Sequence, residues 1–511
     1  MSAHAAATPI EGADPRLYNE DLAPTAPEGR TWKWTSIAAL WVGMVVCVPT
    51  YMLAAGMIQQ GMSWKQAVFT VLAGQVIVLV PMMLVGHAGT KHGIPFPVLL
   101  RSSFGTIGAN VPAILRGLVA CGWFGIQTWV GGFAIYTLLN TLSGDWFAGD
   151  ALPVLGINFW QLVCFLAFWA VHVWFIAKGT ESIRWLETYA APFLIAMGLA
   201  LLYWAWSKAG GFGEMLSAPS TIADGQFASV FFPNLTAMVG FWATLALNIP
   251  DFTRYCATQK DQALGQALGL PPTMALFAFI GVAVTSATVV IFGEAIWDPV
   301  ALLGKMGGGS VIIALVVLAV ATLTTNLAAN VVAPANGFSN ISPEKISFKM
   351  GGYITAGVGV LIFPWKLLES TQGYIFTWLI GYSALLGPIA GILIADYFFI
   401  RRTNLDVGDL FRIEGRYSFK GGWNPIALIA LVLAVLPNVP GFLNAATGAS
   451  SAEGFVPGFF DELYTYAWFV GLFIAGGLYT ALSWNQRGVV LAGGSEPAAS
   501  PEEAAAAAPT E

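Results

Sequence analysis

Long apolar runs separated by short polar segments occupy most of this chain. A helix that crosses a bilayer needs about 20 predominantly apolar residues. With that window the sequence predicts twelve transmembrane helices, near residues 36–58, 66–86, 109–140, 158–177, 186–206, 228–248, 273–293, 310–333, 351–365, 373–400, 424–443 and 463–484. The segment 351–365 is short and rich in glycine. The pattern predicts an all-α polytopic membrane protein.

Composition narrows the function classes. The 511 residues are 57% hydrophobic and 10% charged, whereas soluble domains carry about 25% charged residues. This balance excludes soluble, disordered and disulfide-rich secreted proteins. The four cysteines show no CxxC spacing, and the sequence contains no nucleotide-binding loop, catalytic triad or HExxH motif. A zinc site and a membrane enzyme are therefore disfavoured, and the absence of a basic face predicts no nucleic-acid partner.

Lysine and arginine are distributed unevenly between the two sides that twelve crossings define. Seventeen of the 22 basic residues fall in segments on the side of the N-terminus, four on the opposite side, and Arg116 within the third helix. Because basic residues concentrate in cytoplasmic loops, both termini are predicted to be cytoplasmic. The net charge of −6 lies mainly in the tails 1–34 and 485–511, which we predict to be disordered.

The first and sixth predicted helices are interrupted in a similar way. Gly43 and Pro49 bracket the middle of the first helix, and Gly240 and Pro250 interrupt the sixth. Proline removes a backbone donor and clashes with the preceding turn, so each helix should kink or unwind there. Interrupted helices at corresponding positions of two five-helix halves indicate an inverted-repeat secondary transporter with a site near the membrane midplane.

The third helix carries a tryptophan and a glutamine suited to a flat ligand. Trp123 and Gln127 are four residues apart and therefore share one helix face. An indole stacks on a planar ring, while a carboxamide offers a donor and an acceptor to its polar edge. The alternatives are an interfacial tryptophan and a glutamine that bonds to a neighbouring helix.

The eighth helix contains a dense polar stretch. Asn326 and Asn330 share one face, and Thr324 with Thr325 precedes them. Hydroxyl groups beside the free carbonyls of a broken helix can form an all-oxygen site for a small cation. Hydrogen bonding between helices is the alternative, but the density of polar residues favours a functional site.

Charged residues contribute little to the predicted site. Arg116, Asp251, Glu294 and Asp396 all lie near predicted helix ends. Solvated ends, or long side chains that reach the interface, account for such positions. We therefore expect the site to use neutral groups.

The chain resembles the first class of nucleobase–cation symporters, which includes hydantoin, allantoin, uracil, cytosine and purine permeases, and its pattern looks most similar to the uracil and allantoin branch. The motifs that carry the resemblance are Asn19–Pro24, Arg30–Trp32, Gly93–Pro97, Trp123–Trp129, Asn248–Arg254, Thr325–Asn326, Ala329–Asn330, Gly387–Gly391 and Asp396–Tyr397. They extend over residues 19–402 and together are specific to the family.

The resemblance implies a LeuT-type fold of two inverted five-helix repeats followed by two further helices. Applied to this chain, it predicts a tail at 1–34, repeats at 35–206 and 207–402, the two additional helices at 403–484 and a tail at 485–511. The same resemblance implies a multi-pass protein of the plasma membrane, expected to be monomeric.

The resemblance also implies the residues of two sites. By motif match, the substrate ring is sandwiched by Trp123 and Trp242, its polar edge is bonded by Gln127 and Asn330, and Leu379 gates the pocket. A bound sodium ion would be held by main-chain carbonyls and two hydroxyls, which match Gly43, Val46, Ala321, Thr324 and Thr325. No other cofactor is expected.

Two positions in the expected pocket depart from the family pattern. Cys47 replaces a glutamine that contacts substrate, and Phe241 replaces a glycine beside the tryptophan of helix six. The resemblance thus implies a symporter that imports a small planar nitrogen heterocycle with sodium or a proton, but not which heterocycle. A symporter of the same fold for a vitamin or an amino acid is the alternative, and a membrane enzyme or a channel is less favoured.

Overall fold

The computed structural model describes residues 10–178, 195–306, 309–370, 373–447 and 458–487. Regular structure in these residues is helical, and β-type pairing occurs as isolated bridges. The helices up to residue 216 are α1 (Trp34–Val45), α2 (Val48–Gln59), α3 (Trp64–His92), α4 (Phe96–Phe104), α5 (Asn110–Leu142), α6 (Phe159–Lys178), α7 (195–208) and α8 (Phe212–Leu216).

The chain continues with α9 (Phe227–Phe241), α10 (Ala243–Asn248), α11 (Pro250–Thr253), α12 (Gln259–Phe292), α13 (Pro299–Met306), α14 (Gly309–Asn330), α15 (Val332–Ser339), α16 (Phe348–Leu361) and α17 (Pro364–Leu367). The last part comprises α18 (Gly381–Ile394), α19 (Pro425–Val435), α20 (Val439–Thr447), α21 (Phe459–Thr465) and α22 (Ala467–Ser483). Two π-helical segments, Gly373–Ile380 and Ala395–Ile400, flank α18.

Within the described residues, nine helical segments are long and apolar enough to cross a membrane. The count rises to ten when α1 and α2, which meet at 60°, form one broken span. Two of the twelve predicted spans are missing from that count. The span at 186–206 falls partly on residues outside the described ranges, and the one at 351–365 corresponds to α16, whose 14 residues are too few to cross alone.

Three apolar spans are broken, at positions that then meet inside the protein. The first breaks at Val46 and Cys47, so Pro49 lies in the first turn of α2, where its missing amide removes no helical bond. The sixth breaks at Trp242, between α9 and α10, and the eighth at Val331, between α14 and α15. The predicted interruptions of helices one and six are confirmed.

Two helices extend beyond the predicted spans because capping residues, not hydropathy, set their ends. The second span begins with a capping box between Ser63 and Gln66 and ends at Gly93, whose φ of 70° requires glycine's freedom. Helix α12 begins at Gln259, although its span was predicted from residue 273, because the Thr258 hydroxyl caps its first turn. A hydropathy window detects the apolar part of a helix and omits its polar end.

The interval between the second and third predicted spans contains the end of α3 and the whole of α4. All nine residues of α4, Phe96–Phe104, are buried. The helix was missed because it is too short for a spanning window and lies against other helices instead of lipid. Helix α4 lies on the side of the protein against which residues 10–33 pack.

Residues 10–33 are ordered, so the prediction of a disordered N-terminal tail is wrong for this stretch. The amide of Thr25 donates to the carbonyl of Gly93 at 2.8 Å, and the amide of Trp32 donates to that of Tyr255 at 2.8 Å. The Arg30 guanidinium donates to three further carbonyls on this face. Helix ends leave unsatisfied carbonyls that a polar segment can bond. The predicted tail at 485–511 lies outside the described residues from 488 onward.

Three of the four charged residues expected at solvated ends are buried. The exposed fractions are 2% for Arg116, 5% for Asp251 and 0% for Asp396, so the expectation is wrong for these three. The fourth, Glu294, is exposed and pairs with Lys305. A charge can lie in the interior when partners on other elements compensate its lost hydration, and the sequence did not show those partners.

Asp396 shows how such compensation is achieved. Its oxygens accept hydrogen bonds from Ser102 and Ser103 at 3.1 Å each and from the Tyr479 hydroxyl at 2.7 Å. The guanidinium of Arg401 donates to the same carboxylate at 2.8 Å. This cluster ties α4, the end of the tenth span and α22 together, and it has a structural role.

Candidate functional site

The three broken spans meet the middle of α5 around a small buried cavity. Its volume is about 30 Å³, enough for one water molecule and far below the ~300 Å³ of a typical ligand pocket. The cavity is lined by Met44, Cys47, Trp123, Gln127, Phe241, Trp242, Thr244, Leu245, Thr325, Ala329 and Asn330. The structure therefore brings together six of the seven residues assigned to the substrate, with Thr325 from the assigned cation site.

The two tryptophans assigned to the sandwich are joined by an intervening phenylalanine. The Phe241 ring contacts Trp123 at a centroid distance of 5.2 Å and Trp242 at 5.0 Å, edge-on in both cases. Trp123 and Trp242 are 5% and 3% exposed. Since a substrate ring stacked between the indoles needs the space that Phe241 now uses, this side chain limits the volume of the site.

Two cavity-lining residues present buried polar atoms without a hydrogen-bond partner in the described part of the chain. They are the carbonyl oxygen Oε1 of Gln127 and the indole Nε1 of Trp242. An unpaired buried polar group costs about 1–3 kcal/mol. The Gln127 oxygen at this cavity therefore matches a ligand whose edge carries an N–H donor.

Asn330 and Asn326 have different surroundings although they share a helix face. Asn330 lines the cavity, and its Nδ2 donates to Oδ1 of Asn326 at 3.0 Å, which leaves its own carbonyl oxygen available to a ligand. Asn326 is fully buried and does not line the cavity. The sequence favoured a functional role for the whole polar stretch, but this geometry makes Asn326 a support for Asn330.

Asn326 is fixed by contacts to two other spans. Its Nδ2 lies 3.0 Å from the carbonyl of Phe124, 3.1 Å from the Thr128 hydroxyl and 3.0 Å from Nε2 of His172. The other ring nitrogen of His172 lies 2.9 Å from the carbonyl of Phe168 and donates to it, so Nε2 acts as an acceptor. These bonds hold α14 against α5 and α6.

The residues assigned to the cation offer neutral oxygens. At the break of the first span, the amide of Cys47 bonds to the carbonyl of Val45 at 2.8 Å. A continuous helix would instead pair that amide with the carbonyl of Gly43, which is thus released. The Thr324 hydroxyl donates to the carbonyl of Ala321 at 2.7 Å, and its lone pairs remain free. Among the described residues no cluster of three or more His, Cys, Asp and Glu could hold a metal.

Leu379, assigned to gate the pocket, is fully buried but does not line the cavity. The segment around it packs tightly on α9. The Tyr382 hydroxyl donates to the carbonyl of Gly240 at 2.9 Å, and a Cβ at Gly240 would lie 2.1 Å from the Ser383 hydroxyl. The tenth span is therefore seated directly beside Phe241.

Sequence reasoning missed several aromatic residues around the tryptophans. The Trp41 ring contacts Trp242 at 5.2 Å, while Trp378 and Tyr374 contact Trp123 at 5.9 and 6.2 Å. Trp41 could have been identified from the sequence, because it lies in the interrupted stretch of the first span. The other two could not, because nothing in their own segment shows that it packs on α5.

Comparison with known proteins gives consistent matches over nearly the whole chain. Residues 24–471 match the family described as permease for cytosine/purines, uracil, thiamine and allantoin. The purine-uracil permease of Arabidopsis thaliana is 48% identical over 91% of this chain and 78% of its own length. The allantoin permease of Bacillus subtilis is 41% identical over 91% and 93%, respectively. The structure of Mhp1, a nucleobase-cation-symport-1 family transporter with bromovinylhydantoin bound, superimposes with a TM-score of 0.72 at 28% identity, covering 92% of this chain and 96% of that one.

Proposed function

The chain belongs to the family of permeases for cytosine and purines, uracil, thiamine and allantoin, and we propose that it imports a small planar nitrogen heterocycle together with a cation. Its relatives are transporters, and it is a transporter, not an enzyme. Uracil, allantoin, hydantoin and related nucleobases are the proposed substrates, because relatives named for purines and uracil, for allantoin and for hydantoin align with most of the chain.

One observation carries the substrate assignment. Trp123 and Trp242 lie on different spans, yet both line one buried cavity with Gln127 and Asn330. Two indoles can stack on both faces of a ring, and each such contact contributes about 0.5–1.5 kcal/mol beyond burial. The amides would bond the edge of the ring. A ligand without a matching edge would leave them buried and unpaired, which gives specificity.

The cation is proposed to couple to the substrate through the broken spans. Carbonyls of Gly43 and Val46 on the first span, with Ala321, Thr324 and Thr325 on the eighth, would hold sodium if the protein is sodium-coupled. Because the substrate contacts the same two spans, cation binding that orders them raises substrate affinity, and the coupling is reciprocal. Alternating access then moves the broken spans around this central site.

The proposed layout has twelve spans, with inverted repeats at 35–206 and 207–402 and two further spans at 403–484. Both termini would be cytoplasmic, in a monomer of the plasma membrane. The lysine and arginine bias supports that orientation. The likeness to Mhp1 over 92% of the chain supports the layout.

The decisive experiment is uptake into liposomes that contain the purified protein. Radiolabelled uracil, allantoin, hydantoin and cytosine are offered with a sodium gradient or a proton gradient imposed separately. We expect accumulation of at least one heterocycle under one gradient. Trp123→Ala should lose uptake. Its matched control, Trp129→Ala, should keep it, because Trp129 is similarly buried on α5 but packs on Trp365 outside the cavity.

Other outcomes would contradict the proposal in distinguishable ways. If no heterocycle accumulates under either gradient, heterocycle symport is refuted. Accumulation of a vitamin or an amino acid instead would establish the alternative symporter of the same fold. Gradient-independent, non-saturable flux would indicate a channel.

A further inference from the structure

Between the central cavity and the face that carries residues 10–33 lies a buried polar group that the proposed mechanism has not used. Arg116 on α5 is 2% exposed, Asn248 at the end of α10 is 1% exposed, and Asp251 on α11 is 5% exposed. Arg116 precedes Trp123 by two helical turns, or about 10 Å along the axis. Asn248 lies one turn beyond Thr244 of the cavity wall. Both helices lead from the cavity to the same group.

The three side chains form a relay through the carboxamide of Asn248. Arg116 donates from Nη2 to Oδ1 of Asn248 at 2.9 Å, and Asn248 donates from Nδ2 to Oδ2 of Asp251 at 3.4 Å. The other oxygen of Asp251 accepts the amide of Phe96 at 2.9 Å. The arginine and the aspartate therefore hold the two ends of one O=C–N–H group.

The relay is incompletely satisfied at its arginine end. Nε and Nη1 of Arg116 are buried and have no hydrogen-bond partner in the described part of the chain. At the other end, burial raises the pKa of Asp251, against the opposing effect of Arg254 and Arg116, and the bond from Asn248 is long. Unmade bonds to buried charged groups are expensive, so a ligand that offered a better acceptor and a better donor would be favoured here.

Uracil, allantoin and hydantoin share an O=C–N–H edge with the Asn248 carboxamide. On the basis of the function proposed above, we propose that Arg116 and Asp251 form a second, transient substrate station, at which this edge replaces the Asn248 carboxamide as the substrate leaves the central cavity. The Arg116 guanidinium donates a hydrogen bond to the carbonyl oxygen of the substrate, and the Asp251 carboxylate accepts one from the substrate's N–H. Displacing Asn248 also breaks the hydrogen bond that joins α5 to α10. The passage of substrate is therefore coupled to the opening of this face.

The test compares central binding with turnover in the full-length protein. Arg116→Gln should lower the maximal rate of uracil uptake into liposomes by about tenfold or more, the value of a lost bond to a charged group. The equilibrium dissociation constant for uracil should change by less than about threefold, because the cavity residues are intact. A matched control is Arg101→Gln. Arg101 is equally buried but bonds to Leu410 and Asn340.

A substrate whose edge carries a weaker acceptor distinguishes direct binding by Arg116 from a purely structural role of Arg116. With 2,4-dithiouracil, in which both carbonyls are replaced by thiocarbonyls that are weaker acceptors, uptake by the unaltered protein should already be slow, and Arg116→Gln should slow it little further. Arg101→Gln should slow both substrates by the same factor. Asn248→Asp supplies a second variant, in which the carboxamide becomes a carboxylate that can no longer donate to Asp251. Its carboxylate binds Arg116 more strongly than an amide does, so substrate should fail to displace it and turnover should fall.

The results discriminate between the two proposals. An equal rate penalty for uracil and 2,4-dithiouracil in Arg116→Gln, or full turnover in Asn248→Asp, overturns the station while heterocycle uptake by the unaltered protein upholds the proposed function. Absence of any heterocycle uptake by the unaltered protein overturns both.

Discussion

Replacing Phe241 with alanine should open the central cavity to larger rings. The cavity measures about 30 Å³, and the Phe241 ring contacts the indoles of both Trp123 and Trp242. A ligand stacked between the two indoles must displace this ring. We therefore expect Phe241→Ala to tighten the binding of bulky, aryl-substituted hydantoins, because the displacement is no longer needed.

The magnitude follows from the two contacts. An edge-to-face aromatic pair contributes about 0.5–1.5 kcal/mol beyond area burial, so breaking both contacts of Phe241 costs about 1–3 kcal/mol. Relief from that cost should lower the dissociation constant of a bulky hydantoin by about 5- to 150-fold. Uracil should gain less, because it leaves part of the vacated space unfilled. The truncation itself should destabilise the fold by about 3–5 kcal/mol.

Equilibrium radioligand binding to purified protein, together with the melting temperature of each variant, measures both effects. Phe338→Ala is the matched control. Phe338 is 5% exposed against 6% for Phe241, and it packs on Gly117 of α5 without lining the cavity. It should lose comparable stability without gaining affinity. The reasoning is refuted if Phe241→Ala leaves bulky-ligand affinity unchanged, or if Phe338→Ala improves it equally.

Three further predictions concern the two sites and the scaffold. Asn330→Ala should abolish heterocycle binding while the protein still folds, because the ring's polar edge loses a partner; binding at unaltered affinity in a radioligand assay would place the pocket elsewhere. Thr325→Ala should raise the sodium concentration needed for half-maximal uptake by about tenfold, since one oxygen ligand is removed; sodium-independent uptake in both proteins would remove the sodium assignment. Asp396→Asn should destabilise the fold by about 3–5 kcal/mol, because Arg401 is left buried without its counter-charge; an unchanged melting temperature would contradict this.

The sequence alone determined the class of protein and much of the chain's course. Apolar runs of about 20 residues indicate spans because lipid cannot satisfy backbone groups, so a crossing segment must be helical. Paired glycine and proline positions predicted that spans one and six are broken. The first break adjoins Pro49, as a local effect of proline requires, whereas the sixth lies at Trp242, well before Pro250. The sequence singled out Trp123, Gln127 and Asn330 because a polar or bulky side chain in the middle of a transmembrane helix needs a binding partner. No residue of the same segment supplies that partner.

Tertiary structure decided how these residues combine. Phe241 was known to be larger than the family's glycine, but only packing shows its ring against both indoles. Asn326 and Asn330 are equivalent in sequence pattern, and contacts from α5 and α6 give them separate roles. Arg116 was expected at a solvated end, yet it bonds to Asn248, 132 residues away. Hydropathy and helical periodicity describe one segment at a time, whereas the partner of a buried charge and the volume of a cavity depend on segments distant in the chain.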